Sequence, residues 1–373
     1  MNFTTKFIGF DVSKSTIAVA IADKDGMPPR YLGAIANAPE AVRKLICRLG
    51  RIDELLVCYE AGPTGFGLYR FLSQLGIACV VVAPSLTPLR PGDRVKTDRR
   101  DAIRLTQLLR AGELTPILVP TEDDESLRNL VRARSFAKCD LKRARQRVSS
   151  FLLRRSIDAP QGMRRWSKMF MRWLESLNFA HRATQVAFQE YLHAVREAAD
   201  QVVRLEAEIH SWATESSHAP VIQALQALRG VQELTAVTLA AEIGEFSRFR
   251  NPEQLMAYSG LVPREYSSGL SSRRGGITKT GNTHIRFVLG EAAWSYRYKP
   301  AVRDRLKVRQ QGADPEVLRI SLKAQERLHR KYWSLLGHGK QTTVAATAVA
   351  RELLGFIWAI ACYIENKSQL AAA

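Results

Sequence analysis

Phe7-Ile8-Gly9-Phe10-Asp11-Val12 sets one carboxylate in a short run of apolar residues and glycine. A run of this length and composition reads as a strand buried in a sheet. A carboxylate inside it is costly unless it is paired or bound to a cation. The next stretch, Thr16 to Ala22 (TIAVAIA), is rich in β-branched residues and reads as a second strand, joined to the first by a hairpin. Farther on, Glu40 to Leu49 has helical spacing. Leu55-Leu56-Val57-Cys58-Tyr59 is another buried strand, ending at Glu60 and the turn Ala61-Gly62-Pro63. Gly65 to Leu75 reads as a helix and Ala78 to Val82 as a strand. This order predicts an α/β domain over residues 1–120, a mixed sheet covered by helices.

The acids of this region are spaced to converge. Glu60 ends a strand whose expected place is beside the first, so the two carboxylates would meet at one end of the sheet, where α/β folds commonly build sites. Asp98 and Asp101, in Lys96-Thr97-Asp98-Arg99-Arg100-Asp101-Ala102, are three residues apart at the start of a helix expected from Ala102 to Leu109, and share one of its faces. Four carboxylates gathered this way suit Mg2+ or Mn2+, hard ions that assist phosphoryl transfer by clamping the attacking and leaving oxygens. Ordinary readings exist for each acid. Asp98 can complement the helix dipole, Asp101 can pair with Arg100 or Arg104, and Asp11 can be a turn residue ahead of Ser13. Glu60, close to Gly62-Pro63, is the hardest to explain in that way.

From Glu122 to about Ser217 the pattern changes to long helices. Leu127, Leu130 and Val131, and later Val202, Leu205, Ile209 and Trp212, recur at helical spacing, with few turn signals except near Pro160-Gln161-Gly162. Residues 121–217 are expected to form a long helical arm of coiled-coil type. Its first half carries Arg128, Arg132, Arg134, Lys138, Lys142, Arg143, Arg145, Arg147, Arg154 and Arg155 against Glu125, Asp140 and Asp158. A solvated helix face usually has opposite charges at i,i+4, and their scarcity here favours a helix that tracks phosphates.

Residues 218–373 read as mainly α. Leu225 to Gly244 has the form helix, tight turn at Arg229-Gly230-Val231, helix. The turn's N–H groups would grip a phosphate, although helix-turn-helix packing alone would also want that glycine. Helical patterns return at Arg286–Ala293, Pro315–Tyr332 and Thr343–Ile364. Between them lies a polar stretch, Gly260 to Gly269 (GLVPREYSSG) and Arg273 to Asn282 (RRGGITKTGN). Glycines let the backbone approach a bulky anion, and the interleaved cations can stabilise its charge. A hydroxyl set among them is what covalent phosphoryl transfer needs, with His284 the nearest base in sequence. A loop whose serines only hydrogen-bond phosphates fits the same residues.

Composition agrees with a polyanionic partner. The 373 residues include 55 Lys and Arg against 36 Asp and Glu, a net charge of +19. Such an excess commonly neutralises nucleic-acid phosphates, though a membrane surface or a ribosomal partner would also account for it. Five cysteines without CxxC or Cys/His clustering argue against structural zinc and a disulfide framework. Met1 to Lys6 lacks the layout of a signal peptide, and the apolar run Leu353 to Ile364 is short for a bilayer.

FIGFDVSKST around Asp11, CYEAGPTG around Glu60, KTDRRDA around Asp98 and Asp101, and GLVPREYSSG…RRGGITKTGNTHIR resemble the DEDD transposases of the insertion-sequence 110 and 1111 group, whose relatives include pilin-gene invertases. The resemblance runs nearly end to end and takes in the basic segment Leu127 to Leu153 and the closing Val344 to Ile360. It implies a RuvC-like, RNase H-type domain in which Asp11, Glu60, Asp98 and Asp101 bind Mg2+ or Mn2+. A C-terminal transposase domain would carry the nucleophilic serine, Ser268 by its place in the Ser-Ser-Gly motif, with Ser267 second. The family pattern implies a covalent phosphoserine link to DNA, then strand exchange between donor and target at a composite site. It also implies a structured noncoding guide RNA, the bridge RNA of the element itself, and assembly into dimers and tetramers.

The sequence as a whole is therefore expected to specify an RNA-guided DNA transposase working in a bacterial cytoplasm, at the nucleoid, with no membrane part. Arg273, Arg274 and Lys279 would steady the reacting phosphate. Arg128, Arg132, Lys142, Arg143, Arg147, Arg154 and Arg286 would hold nucleic acid. Two other classes stay open at this point: a Holliday-junction-type nuclease that uses the same acids with water, and a non-catalytic nucleic-acid-binding protein.

Overall fold

The computed structural model describes residues 4–88, 97–268 and 271–372, with backbone alone at 272, 274, 371 and 372. The chain divides into two compact units, Met1–Pro120 and Thr121–Ala373. In the first, β1 (Lys6–Val12), β2 (Thr16–Asp23) and β3 (Arg30–Ala36) form an antiparallel meander. There follow α1 (Pro39–Leu49), β4 (Leu55–Glu60), α2 (Gly67–Gln74), β5 (Ala78–Val82) and α3 (Asp98–Ala111). The sheet order is β3-β2-β1-β4-β5, with β4 parallel to β1 and β5 parallel to β4.

Strand β3 has no counterpart in the sequence reading. Its inward positions are Tyr31, Gly33 and Ile35, only half-buried, and Gly33 has φ 106° beside a register shift at Val19/Ala20. An edge strand interrupted by glycine gives a weak alternation signal.

Alternation along the strands divides the sheet's two faces. Ile8, Phe10, Val57, Tyr59 and Val81 pack with Val42 and Ile46 of α1 and Leu72 of α2. On the other face Cys58 and Val82 meet Leu105 and Leu109 of α3, while Ala18 and Ala20 meet Ala102. Small residues let α3 lie close there. A Cβ on Gly9 would stand 2.5 Å from both the Ala102 carbonyl oxygen and Thr106 Oγ1. The buried Thr106 hydroxyl lies 2.8 Å from the Ala102 carbonyl and 3.2 Å from that of Ala20, tying helix to sheet. At the far end of α3, Arg110 donates to the carbonyls of Met27 (2.6 Å) and Asp23 (3.2 Å). Asp23 is the register partner of Lys6, where β1 begins. Helix α3 therefore runs antiparallel to β1 and starts at the end of the sheet where β1 and β4 finish.

The second unit opens with α4 (Glu122–Leu153), α5 (Lys168–Glu175) and α6 (Arg182–Glu215). Helices α4 and α6 pair antiparallel: Asp124 meets His218 at 2.6 Å, Arg134 pairs with Glu206, and Arg155 reaches Thr184 at 3.3 Å. Apolar side chains from Ala137 to Leu152 and from Phe188 to Val202 fill the arm's interior. Then come α7 (Ala219–Leu225), α8 (Glu233–Ile243), α9 (Pro252–Ser259), a hairpin of β6 (Pro263–Ser268) and β7 (Ser271–Ile277), α10 (Thr283–Ala293), α11 (Asp304–Arg309), α12 (Pro315–Gly337) and α13 (Thr342–Ala372). Leu127, Val131, Ile209 and Ala213 at the foot of the arm enter the same core as α8 and α13. The arm and the remainder are thus one unit.

Helix α13 extends well beyond its apolar run, and by length and composition alone it could cross a membrane; half of its most apolar window is buried in this core. The turn at Gly230 differs from the expected phosphate grip. Gly230 has φ 82°, and a Cβ there would lie 2.4 Å from the Ala292 carbonyl oxygen. Arg229 spends its guanidinium on the carbonyls of Lys299 (2.8 Å) and Tyr298 (3.2 Å). With Leu228, Val231 and Ala236 through Ile243 all buried, this is a packing joint against α10.

Candidate active site

Strands β1 and β4 run in register, from Lys6 beside Leu55 to Phe10 beside Tyr59. Register partners on adjacent strands point to the same face. One step farther, Asp11 and Glu60 leave the sheet side by side on the face opposite Phe10 and Tyr59, which is the face of α3. Both are half-buried. The start of α3 is fixed by Thr97, whose hydroxyl oxygen accepts from the Arg100 N–H at 3.3 Å. Asp101 precedes Ala102, which packs on the sheet, and Asp98 lies one turn earlier on the same flank. Asp98 is exposed and Asp101 half-buried. All four acids thus belong to one end of one face.

Among the described residues, no three His, Cys, Asp or Glu side chains stand close enough together to hold a metal ion. The side chains of the four acids are thus not drawn into the expected shared pocket; what the structure gives is the placement of the strands and helix that carry them. The donor set is wholly carboxylate, which is the chemistry of a hard divalent cation.

The glycine-rich stretch read as a loop is a β-hairpin. Pro263 pairs with Ile277 at its base, and Ser268 pairs with Ser271 at its tip. Ser267 and Ser268 are exposed, and the Ser267 hydroxyl is engaged by Glu265 Oε1 at 2.7 Å. Arg273 sits beside Tyr266 and is exposed, as is Lys279 just past β7. The Arg274 side chain lies outside the described residues.

The base of the hairpin is pinned by two glycines in the left-handed region. A Cβ on Gly260 (φ 70°) would be 2.0 Å from the Thr280 carbonyl oxygen, and one on Gly281 (φ 101°) 2.1 Å from that of Tyr258. His284 lies on α10, beyond this base. Five residues of strand, about 17 Å, separate the tip serine from the base, so adjacency in sequence does not make His284 a neighbour of Ser268.

One buried acid was missed by sequence reading. Glu242, on the apolar helix α8, is fully buried. Arg132 of the arm grips it through two nitrogens at 2.8 and 2.9 Å, Arg128 stands 3.7 Å away, and Asn282 Nδ2 donates to it at 2.6 Å. Asn282 also caps α10, its Oδ1 accepting from the N–H groups of His284 (2.9 Å) and Ile285 (3.1 Å). Burial works to raise the Glu242 carboxyl, but the bonds from Arg132 and Asn282 outweigh it and hold the group below the usual carboxylate range. The signal lay in Leu234-Thr235-Ala236-Val237-Thr238-Leu239-Ala240-Ala241-Glu242-Ile243: a lone carboxylate in an apolar run, the same argument that singled out Asp11.

Arg128 and Arg132 therefore serve a carboxylate within the protein, which differs from their expected place on a phosphate-tracking face. Arg286 is likewise turned inward, donating to the carbonyls of Ser259 (2.9 Å) and Gly281 (3.1 Å). Counting charges at i,i+4 could not find these partners, because Glu242 lies 110 residues from Arg132. Arg143 pairs with Asp140 at 3.0 Å, Arg145 stacks on Trp166 at 5.2 Å and Arg155 on Phe151 at 4.1 Å. Lys142, Arg147 and Arg154 are exposed on α4 or at its end.

Known proteins resemble this chain along most of its length. The DEDD transposase profile of the IS110 type matches residues 8–156, and the profile described as transposase IS116/IS110/IS902 family matches residues 222–307. A Sinorhizobium fredii protein named as a putative transposase, y4qE, is 46% identical over 96% of this chain and 89% of its own. The transposase for insertion sequence element IS1533 of Leptospira borgpetersenii is 30% identical over 88% of this chain and 96% of its own. The pilin gene-inverting protein of Moraxella bovis is 27% identical over 53% of this chain and 52% of its own. The first profile covers the sheet, α3 and α4, and the second covers α8, the serine hairpin and α10; with matches at that reach, the chain belongs to the IS110 family of transposases, enzymes that recombine DNA.

Proposed function

We propose that this transposase cuts and rejoins DNA through a phosphoserine intermediate on Ser268, with Asp11, Glu60, Asp98 and Asp101 as ligands of Mg2+ or Mn2+. The observation that carries the reading is the exit of Asp11 and Glu60 side by side at the end of the face where α3 begins. The sheet order β3-β2-β1-β4-β5, an antiparallel meander continued by parallel strands, supports a RuvC-like, RNase H-type first unit. A divalent ion bound there would neutralise phosphate charge and orient the reacting oxygens.

In the proposed reaction, Ser268 Oγ bonds to phosphorus while a phosphorus–oxygen bond to deoxyribose breaks. The serine proton is lost, and the released deoxyribose oxygen takes one up. Attack by the hydroxyl of another strand reverses these steps and frees the serine. Arg273 and Lys279 steady the phosphate oxygens, with Arg274 joining them by its place in sequence. Lys142, Arg143, Arg147 and Arg154 follow the backbone along the arm. A structured guide RNA, donor and target DNA, dimers or tetramers, and work at the nucleoid in the cytoplasm complete the proposal on the strength of the family resemblance.

The test is a denaturing gel for a protein–DNA adduct with the element's own ends as substrate. The parent chain should form the adduct, Ser268→Ala should not, and Ser267→Ala should retain it. Undiminished cleavage by Ser268→Ala, with no adduct in the parent, would favour hydrolysis by water. Sequencing of RNA that co-purifies from cells carrying the element tests the guide. Recovery of random cellular RNA alone would remove it.

A further inference from the structure

A cleft of about 470 Å³ lies between α12 and α13 and includes none of the acids or serines of the proposed chemistry. Its walls carry Lys323, Arg327, Arg330 and Lys331 on α12 against the carboxylates of Glu326 and Glu352. Lys323, Arg327 and Lys331 are four residues apart, which sets them in a row with steps of about 6 Å along the helix. Arg330 stands beside the row. Glu352, on α13, has only 15% of its side chain exposed, and both Arg327 (3.1 Å) and Lys331 (3.4 Å) converge on it. Lys323 and Arg330 are exposed, and neither forms an ion pair among the described residues. Four cations against two carboxylates leave the cleft with two uncompensated positive charges.

We infer that this cleft is a separate docking site for the DNA backbone. Like charges held in a regular row on a packed helix repel one another, and a polyanion relieves that repulsion by replacing its own counterions with the row. The concave shape and the shared carboxylate at its floor hold Arg327 and Lys331 in place, while Lys323 and Arg330 reach outward to phosphate oxygens. DNA is the occupant because it is the substrate of the family to which the chain belongs. The site is independent of the carboxylate and serine chemistry proposed above, so its test reads equilibrium binding and involves no cleavage.

The experiment is fluorescence-anisotropy titration of the full chain against a random-sequence DNA duplex, repeated between about 50 and about 200 mM salt. Lys323→Gln with Arg330→Gln should weaken binding about tenfold at the lower salt and reduce the log–log salt slope by about 1.8, the share of two phosphate contacts. Glu352→Gln should act in the opposite sense, tightening binding and steepening the slope, because it releases Arg327 and Lys331 to the ligand. A variant that merely misfolds cannot produce that gain. Unchanged affinity and slope in the double variant, or weaker binding by Glu352→Gln, overturns the site. A response confined to an RNA duplex of the same length overturns its assignment to DNA.

Discussion

Glu60 leaves β4 as Asp11 leaves β1, each one residue past the register partners Tyr59 and Phe10, so the two acids stand on neighbouring parallel strands on the side that α3 covers. If they act as a pair on a shared ion, removing either charge disables the same step. Asp11→Asn and Glu60→Gln are each expected to lower adduct formation in Mg2+ by at least about 10²-fold with the circular dichroism spectrum retained. The double variant should be little worse than either single one. Parent-level adduct from Asp11→Asn would remove the acids from the reaction.

Gly9 is the point of closest approach between sheet and helix. A methyl group there meets the backbone of Ala102, which cannot swing aside as a side chain could. Gly9→Ala is expected to destabilise the first unit by about 1–3 kcal/mol. It should also reduce adduct formation more than the stability loss explains, because α3 carries Asp98 and Asp101. Urea unfolding, set beside an adduct assay at a temperature where the variant is fully folded, checks both. A variant of parent stability would show that the close approach is unimportant.

The Arg132–Glu242 pair gives a test of stability. Arg132→Ala strands a buried carboxylate and should cost about 3–5 kcal/mol, while Arg132→Met with Glu242→Gln should recover part of it. The Glu242 carboxyl is depressed in the fold. Its contribution is therefore complete above the ordinary carboxylate pKa of about 4.3 and is lost as pH falls through the lower folded value. Chemical denaturation from neutral to strongly acidic pH should show this acid-side loss in the parent and a smaller one in Glu242→Gln. Equal acid sensitivity in the two proteins would count against the pair.

Gly260 tests the footing of the serine hairpin. Its positive φ, and a carbonyl oxygen that would stand 2.0 Å from any added methyl, leave no room for alanine without moving the Thr280–Gly281 backbone. Gly260→Ala should cost more than about 1 kcal/mol from backbone conformation alone and should misdirect Ser268, lowering adduct yield in protein that remains folded. Full yield would mean that the hairpin's base does not aim its tip.

Sequence patterns disclosed the sheet because its central strands are apolar on both faces, and they disclosed Asp11 because a charge in such a run demands a reason. Edge strand β3 escaped, since Arg30, Gly33 and Ala34 blunt its alternation. The hairpin around Ser268 escaped as well, because its residues are exposed on both sides and no buried face imprints a period of two. The direction of the arm's arginines was beyond reach for another reason. Helical spacing reports neighbours on one helix, and the acids that claim Arg132 and Arg134 come from α8 and α6. Position on a charged face was legible, whereas the tertiary partner was not.

Glu242 is held from one side by Arg132, on the long arm, and from the other by Asn282, the residue that caps α10 a few residues after β7 ends at Ile277. The arm and the strand pair bearing Ser268 are consequently rooted in a single carboxylate. A tilt of either would strain the hydrogen bonds at the other's anchorage, so a displacement of the arm would be felt at the foot of the hairpin that carries Ser268.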